Sequence, residues 1–439
     1  MGWGNFYKDS QEFKGEIYLM AKFKYDLAVV GLGYVGLPLG VESVSSGLKV
    51  IGYDISEEKN TIINSGHSPI EDISDEYLAS ALEEGFLATS NESVLKDAEH
   101  IVISVPTPLT DYQPDLTFVK SAAASVGRNL QAGQVIILES TTYPGTTEEV
   151  LIPEISEHST KEPGKDYFVG YSPERIDPGN KEWKFKNTPK IISGINKESL
   201  DRIEKFYKSI IDEVVPVSSP KEAEMVKLLE NTYRHVNIAL INELAILCNM
   251  LGVDIWEVVE AAGTKPFGFE SFHPGAGVGG HCIPVDPEYL SFKTRQIGQP
   301  VRFVELAQEI NNSMPGYVCD RVSQFLNNLG KPIKDSKILV YGVAYKPDIG
   351  DTRESPAMDI IDELIEKGAE VNYFDPFVSE LSTGNNKLVS LSVDEELNLF
   401  DMILIHTVHS NSDINKINNS GVPVFDTTGS KKLNNSTKI

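Results

Sequence analysis

A short apolar run, Leu27 to Val30, leads directly into Gly31-Leu32-Gly33-Tyr34-Val35-Gly36, and this junction constrains the fold more than any other stretch. An apolar helical pattern follows from Leu37 to Ser46, Gly47 stops it, and Lys49 to Asp54 reads as a second strand. That strand ends in an acid 23 positions after Gly31. A parallel βαβ unit explains the order. The glycines permit a tight turn and the approach of a pyrophosphate, the helix N-terminus faces the phosphate charge, and the acid takes the ribose hydroxyls. The expected cofactor residues are Gly31, Gly33, Tyr34, Val35, Gly36 and Asp54. A carboxylate at Asp54 repels a 2′-phosphate, so NAD is expected rather than NADP.

Strand and helix signals keep alternating, which predicts an α/β doubly wound sheet. Strands over His100–Val105, Gln134–Leu138 and Phe168–Tyr171 run into Thr107, Thr142 and Glu174. Ligands of open α/β sheets gather at the carboxyl ends of strands, so these three side chains are candidates to line the cofactor cleft. A boundary follows near Ser218, and no Gly or Pro interrupts Lys221 to Leu251, a helix of about 46 Å. Lys227, Asn231 and Arg234 share one face of it. The helix is apolar elsewhere, so more than one face should be buried.

The last third repeats the plan. Lys337–Gly342 is a strand, Ser355-Pro356 opens a helix that ends at Gly368, and Glu370–Asp375 is the next strand. The glycine fingerprint is missing, and the first turn reads V-A-Y-K-P-D-I-G-D-T-R-E-S. Lys346 and Arg353 in that turn suit a phosphate ligand other than a dinucleotide. The expected division is therefore an extension over 1–22, an NAD-binding Rossmann domain over 23–217, a central helical domain over 218–316, and a second Rossmann-like domain over 317–439.

Between the two Rossmann-like parts lies G-A-G-V-G-G-H-C-I-P-V-D-P-E-Y, residues 275–289. Gly277, Gly279 and Gly280 let backbone approach a ligand. Asp286-Pro287 reads as a helix opening, with Asp286 as N-cap, which would set Cys282 at a positive helix end that lowers a thiol's pKa. The competing reading is a Gly/Pro-rich turn with one buried cysteine.

Composition removes several classes of function. A formal charge of −25 opposes binding to nucleic acid or an anionic membrane. No apolar stretch approaches the ~18 residues of a membrane span, and residues 1–20 lack a secretory h-region. Phe6 stands where a myristoylation motif needs Ser or Thr. The 3 cysteines show neither metal-ligand spacing nor a disulfide framework, so no metal is expected and a cytoplasmic location fits. Cys248, in A-I-L-C-N-M-L, reads as core.

After residue 22 the chain strongly resembles the UDP-glucose/GDP-mannose dehydrogenase superfamily. The matching motifs are G-L-G-Y-V-G-L-P-L, V-P-T-P, E-S-T-T-Y-P-G-T-T, Y-S-P-E-R-I-D-P-G, K-L-L-E-N-T-Y-R, G-V-G-G-H-C-I-P-V-D-P and Y-K-P-D-I-G-D-T-R-E-S-P. Thr264–Phe269 (T-K-P-F-G-F) and His281-Cys282 resemble the branch that oxidises UDP-N-acetylhexosamines, UDP-N-acetylglucosamine 6-dehydrogenases above all. The alternatives are UDP-N-acetylmannosamine, UDP-N-acetylgalactosamine or UDP-glucose.

The resemblance implies two NAD-dependent oxidations at C6 of a UDP-sugar, with Cys282 as nucleophile and a uronate for surface polysaccharide as product. It implies Lys227 and Asn231 at the oxyanion, Asp286 and Glu174 handling protons and the hydrolytic water, and Thr142 at the water or the nicotinamide. It implies Lys227, Asn231, Arg234, Phe272, Gly280, Tyr345 and Lys346 at the substrate, and a homodimer formed through the long helix. The chain departs from the pattern twice: Pro178 replaces a second glutamate, and Thr428 stands where many members have an arginine, a loss for which Arg353 or a neighbouring subunit could compensate. A single-oxidation hydroxyacid dehydrogenase has no need of the thiol. A non-catalytic nucleotide-binding protein has no reason to keep Cys282, Lys227 and Asp286 together.

Overall fold

The computed structural model describes residues 23–70, 73–110, 113–177, 180, 182–280, 282–384, 386–392 and 396–439. The expectations for residues 1–22, Pro178 and His281 lie outside the described residues.

The first half forms a six-stranded parallel sheet. Its strands are β1 (Tyr25–Val30), β2 (Val50–Tyr53), β3 (Leu87–Thr89), β4 (Ala98–Ile103), β5 (Val135–Leu138) and β6 (Phe168–Tyr171), in the spatial order β3-β2-β1-β4-β5-β6. Side chains of a strand alternate between faces, and here both faces are covered. Leu27 and Val29 enter one buried cluster while Ala28 and Val30 enter the other. Near-continuous apolar runs are therefore required, and L-A-V-V supplies one. The expected strands are all present, within two residues at their ends.

The last third builds a five-stranded sheet on the same rule. Strands β7 (Lys337–Tyr341), β8 (Glu370–Phe374), β9 (Met402–Ile405), β10 (Val424–Asp426) and β11 (Thr437–Lys438) lie in the order β8-β7-β9-β10-β11, all parallel. Ile338 and Val340 face one buried cluster, Leu339 and Tyr341 the other. The helix Pro356–Glu366 starts where expected, its Ala357 N–H donating to the Ser355 hydroxyl.

Between the sheets runs one helix, Pro220–Leu251, ended by Gly252 in the left-handed region at φ 69°. It packs on a second long helix, Arg302–Asn328, where the buried Asn242 amide donates to Asn311 Oδ1 at 3.0 Å. Within one chain its apolar side chains are only partly covered. Leu228, Ile241 and Ala245 are buried, whereas Leu229, Tyr233, Leu240, Leu247 and Met250 are exposed.

Candidate active site

The glycine turn is built as its composition requires. Gly31 has φ 92°, and a Cβ there would stand 2.7 Å from the Ser104 carbonyl oxygen. A Cβ on Gly36 would stand 1.9 Å from the Gly31 carbonyl oxygen, so neither position tolerates a side chain. Gly33 differs: nothing lies within 4 Å of the place its Cβ would take. A pyrophosphate needs that open space, and the helix Gly36–Ser45 opens behind it with no side-chain cap at Val35 and no acid in its first turn. Tyr34, in the same turn, is half-buried against the core.

Asp54 sits at the end of β2. It accepts from Leu32 N–H at 2.9 Å, Ser56 N–H at 3.0 Å and Lys59 Nζ at 2.8 Å. Burial opposes its ionisation, but Lys59 and the two N–H groups outweigh burial and hold the carboxyl below its ordinary range. These residues fit a dinucleotide.

Thr107 and Thr142 flank the cleft from β4 and β5. The Thr107 carbonyl accepts from the Tyr289 hydroxyl, tying the central segment to this sheet. Thr142 is fully buried beside the buried Tyr171, whose phenol burial makes less acidic while the Thr142 hydroxyl works the other way.

The remaining side chains converge on the cysteine. Asn231 Nδ2 donates to Asp286 Oδ2, both buried, and Lys227 Nζ donates to the Glu174 carbonyl oxygen at 2.7 Å. The C-terminal turn closes over this group. Gly280 N–H donates to the Arg353 carbonyl at 3.0 Å, and the Tyr345 ring lies 2.7 Å from where a Gly280 Cβ would stand. With φ 87° as well, that position must be glycine. Lys346 pairs with Asp177 at 2.6 Å across the two halves. Arg353 grips Asp351 with two nitrogens and lays its guanidinium over the Tyr34 ring, 5.2 Å from the centroid. Phe272 packs edge-on against the exposed Tyr233 of the long helix and against the core beneath the second sheet. Arg234 is exposed, but its charge is felt at the thiol.

Two expectations are corrected. Asp286 is not the N-cap: the helix Asp286–Gln296 is preceded by Val285, no side chain caps it, and the Asp286 carboxyl turns to Asn231. Nor is the Cys282 thiol made acidic. Burial and then the Asp286 charge push it up to about 11, against Lys227, Arg353 and Arg234. The helix-end effect fails because a buried thiolate beside a carboxylate is poorly solvated, and this outweighs a half-charge dipole. Burial raises Asp286 to about 6, against Lys227 and Asn231.

Arg353 is engaged at the cofactor turn. The Thr428 hydroxyl donates to Asp426 at 2.7 Å.

Glu139, Lys190, Glu224 and His235, all buried, escaped the sequence reading. Glu139 and Glu174 both pair with Lys190 at 2.9 Å. Glu224 accepts from Gly145 N–H, Thr147 N–H and the Thr147 hydroxyl, which fixes the Tyr143–Thr147 turn to the long helix. Burial lifts Glu224 to about 7 and drops His235 to about 4. Glu224 alone left a signal: an acid three residues before Lys227, on a helix face with little room for water. No group of three or more metal-ligating side chains occurs among the described residues.

Two Rossmann-like sheets with a thiol between them form the plan of a nicotinamide-dependent dehydrogenase acting on a nucleotide-bearing substrate. The chain belongs to the UDP-glucose/GDP-mannose dehydrogenase family and is an NAD-dependent UDP-sugar dehydrogenase. Residues 25–211 match the family's NAD binding domain, 221–313 its central domain and 339–430 its UDP binding domain. It is 37% identical over 425 residues to Protein CapL of Staphylococcus aureus, covering 94% of this chain and 99% of that one. The UDP-N-acetyl-D-glucosamine 6-dehydrogenase of Pseudomonas aeruginosa is 37% identical over 386 residues, 88% of this chain and 90% of its own. The structure of a UDP-D-ManNAc dehydrogenase from Pyrococcus horikoshii superposes with a TM-score of 0.84 at 32% identity, covering 94% of this chain and 96% of that one.

Proposed function

We propose that this dehydrogenase oxidises C6 of UDP-N-acetylglucosamine from alcohol through aldehyde to carboxylate, with Cys282 as covalent nucleophile. The observation that carries the mechanism is the convergence of Lys227, Asn231 and Asp286 on that thiol, between the two sheets. The Gly31–Gly36 turn and Asp54 would hold NAD, and each oxidation would draw on one NAD as hydride acceptor.

The resting thiol keeps its proton while Asp286, at about 6, is ionised at neutral pH. When the aldehyde forms, sulfur bonds to its carbon and the thiol proton passes to Asp286. Lys227 and Asn231 donate to the oxygen on which charge develops, each such donor being worth about 3 kcal/mol. Oxidation of that adduct leaves a thioester. Asp286, having given that proton up to solvent, then takes a proton from the attacking water, the C–S bond breaks, and Asp286 hands the proton to the departing sulfur.

Choice of the N-acetylglucosamine substrate is supported by Thr264–Phe269 and by relatives of that name in Pseudomonas aeruginosa and Salmonella typhi. Relatives named UDP-N-acetyl-D-mannosamine dehydrogenases are 34–36% identical, which makes the C2 epimer the second reading. The exposed stripe Leu229, Tyr233, Leu240 and Leu247 supports a homodimer through the long helix. No helix among the described residues is long and apolar enough to cross a membrane, which accords with a cytoplasmic site of action.

The test is a panel of UDP-sugars with NADH counted per sugar. Two NADH per UDP-N-acetylglucosamine are expected, and kcat/KM should exceed that for the mannosamine epimer and for UDP-glucose. Equal efficiency with UDP-glucose would overturn the substrate choice. Cys282→Ala with near wild-type turnover would overturn the mechanism.

A further inference from the structure

Lys190 is buried at the end of a chain of polar contacts that reaches the catalytic helix. Its Nζ lies 2.9 Å from Glu139 Oε1 and 2.9 Å from Glu174 Oε2. The Tyr207 hydroxyl donates to the same Glu139 oxygen at 2.5 Å, and the Lys190 ammonium lies 5.5 Å from the Tyr207 ring centroid. Glu174 Oε1 accepts from Arg175 N–H at 2.7 Å and Ile176 N–H at 2.6 Å, so both its oxygens are occupied. The backbone carbonyl of this same residue receives Lys227 at 2.7 Å. Beyond it, Arg175 pairs with Glu230 at 2.7 Å, a second link from this segment to the long helix.

We propose that Lys190, backed by Glu139, is a positioning residue: by holding the Glu174 carboxylate it fixes the Glu174 carbonyl, and through it the Lys227 ammonium, at the reacting centre. This rests on the reading of Cys282 and Lys227 as that centre, and it adds an anchoring role to the proton handling expected of Glu174. The charges are two carboxylates and one ammonium, all desolvated. Remove the ammonium and two buried carboxylates face each other, a state relieved only when one takes a proton. A protonated Glu174 has a weaker claim on the two N–H groups, and the Ser172–Ile176 segment loses its hold. Burial opposes ionisation of Glu174, and Lys190 is the main group that overcomes this, with Ile176 N–H and Lys227 adding to it.

The experiment is the pH profile of kcat for the full-length enzyme with UDP-N-acetylglucosamine and NAD, in Lys190→Met, Lys190→Arg and Glu139→Gln. Lys190→Met should lose about 100-fold in kcat at neutral pH, the scale of a small misplacement of a catalytic group. Its acid limb should move to higher pH, and both KM values should stay within about 2-fold of wild type. Lys190→Arg should restore most of the rate. Glu139→Gln removes the carboxylate that repels Glu174 while leaving an acceptor for Lys190 and Tyr207; added to Lys190→Met, it should bring the raised limb back toward that of wild type, which Asp286 sets. A raised limb that Glu139→Gln does not lower in the Lys190→Met background overturns the proposal; should Lys190→Met not fold, a loss of about 100-fold in a folded Lys190→Arg enzyme, which keeps the charge, overturns it. A pH-independent loss in Lys190→Met with both KM values raised, the result of mere structural damage, overturns it too. A fully active Lys227→Ala would instead overturn the underlying reading of the site.

Discussion

The two parallel sheets carry the same turn in the same register and use it for different purposes. In the first, Gly31 N–H donates to the Tyr53 carbonyl at 2.8 Å, and Leu32 N–H donates to Asp54 at the end of β2. In the second, Gly342 N–H donates to the Phe374 carbonyl at 2.8 Å, and Val343 N–H donates at 2.8 Å to Asp375, just past the end of β8. Gly31 and Gly342 both have positive φ, and a Cβ on either would strike a carbonyl oxygen after the neighbouring strand, that of Ser104 or of Thr407.

Counting on from each first glycine, Gly33 and Gly36 of the first turn correspond to Ala344 and Pro347 of the second. The pyrophosphate space is filled, and Tyr345 and Lys346 stand in the places of Tyr34 and Val35. The acids diverge as well. Asp54 keeps one edge beside the half-exposed Lys59, whereas Asp375 also accepts Ala344 N–H and faces buried His409 Nε2 at 3.1 Å. Asp348 N–H donates to His409 Nδ1 at 2.9 Å while His409 Nε2 meets Asp375, so the ring pins the long turn from both nitrogens. A shared scaffold thus spends one acid on a ligand edge and the other on its own loop.

The strongest way to break this comparison is at the clashing glycines. Gly36→Ala should cost about 3 kcal/mol or more of stability and abolish NAD binding, because backbone must move. Gly342→Ala should cost as much, but should abolish UDP binding while sparing NAD; calorimetric titration of each nucleotide separates the two. Loss of both ligands in both variants would deny that the sheets act separately.

The acids come next. Asp375→Ala strips three N–H groups and His409 of their acceptor, and should lower unfolding free energy by about 2–3 kcal/mol with coenzyme preference unchanged. Asp54→Ala should cost less stability and narrow the preference of NAD over NADP by about 10-fold in kcat/KM. Wild-type turnover of NADP equal to that of NAD would remove the assigned role of Asp54.

Gly33→Ala isolates the open position. Melting should show a stability change within about 0.5 kcal/mol, since nothing is struck, while KM for NAD rises about 10-fold. An unchanged KM would mean that the cofactor does not pass there.

The mildest change sits at the seam between the sheets. With a thiol near 11, the rate of Cys282 alkylation by iodoacetamide should keep rising through pH 9. Asp286→Asn removes a charge that raises this pKa and should move the curve to lower pH; Lys227→Ala removes one that lowers it and should do the opposite. A wild-type plateau below pH 8 would contradict the burial argument.

The sequence by itself determined the glycine turn, the long helix and those strands that are apolar runs beside a turn signal, while Leu87–Thr89, Met402–Ile405, Val424–Asp426 and Thr437–Lys438 passed unread. Apolar runs of four to six residues, one glycine fingerprint and a helical spacing of Lys227, Asn231 and Arg234 are local patterns, and local patterns follow from backbone geometry. Even there a single retained glycine, Gly342, passed unread, because a fingerprint with two of its three glycines replaced no longer looks like one. The tertiary structure decided the energetics. The acidity of Cys282, the partner of Asp286 and the tie from Lys190 through Glu174 to Lys227 depend on which groups are buried together from segments far apart in the chain. Desolvation and charge pairing act through space over a few ångströms, and no spacing along a sequence records that distance.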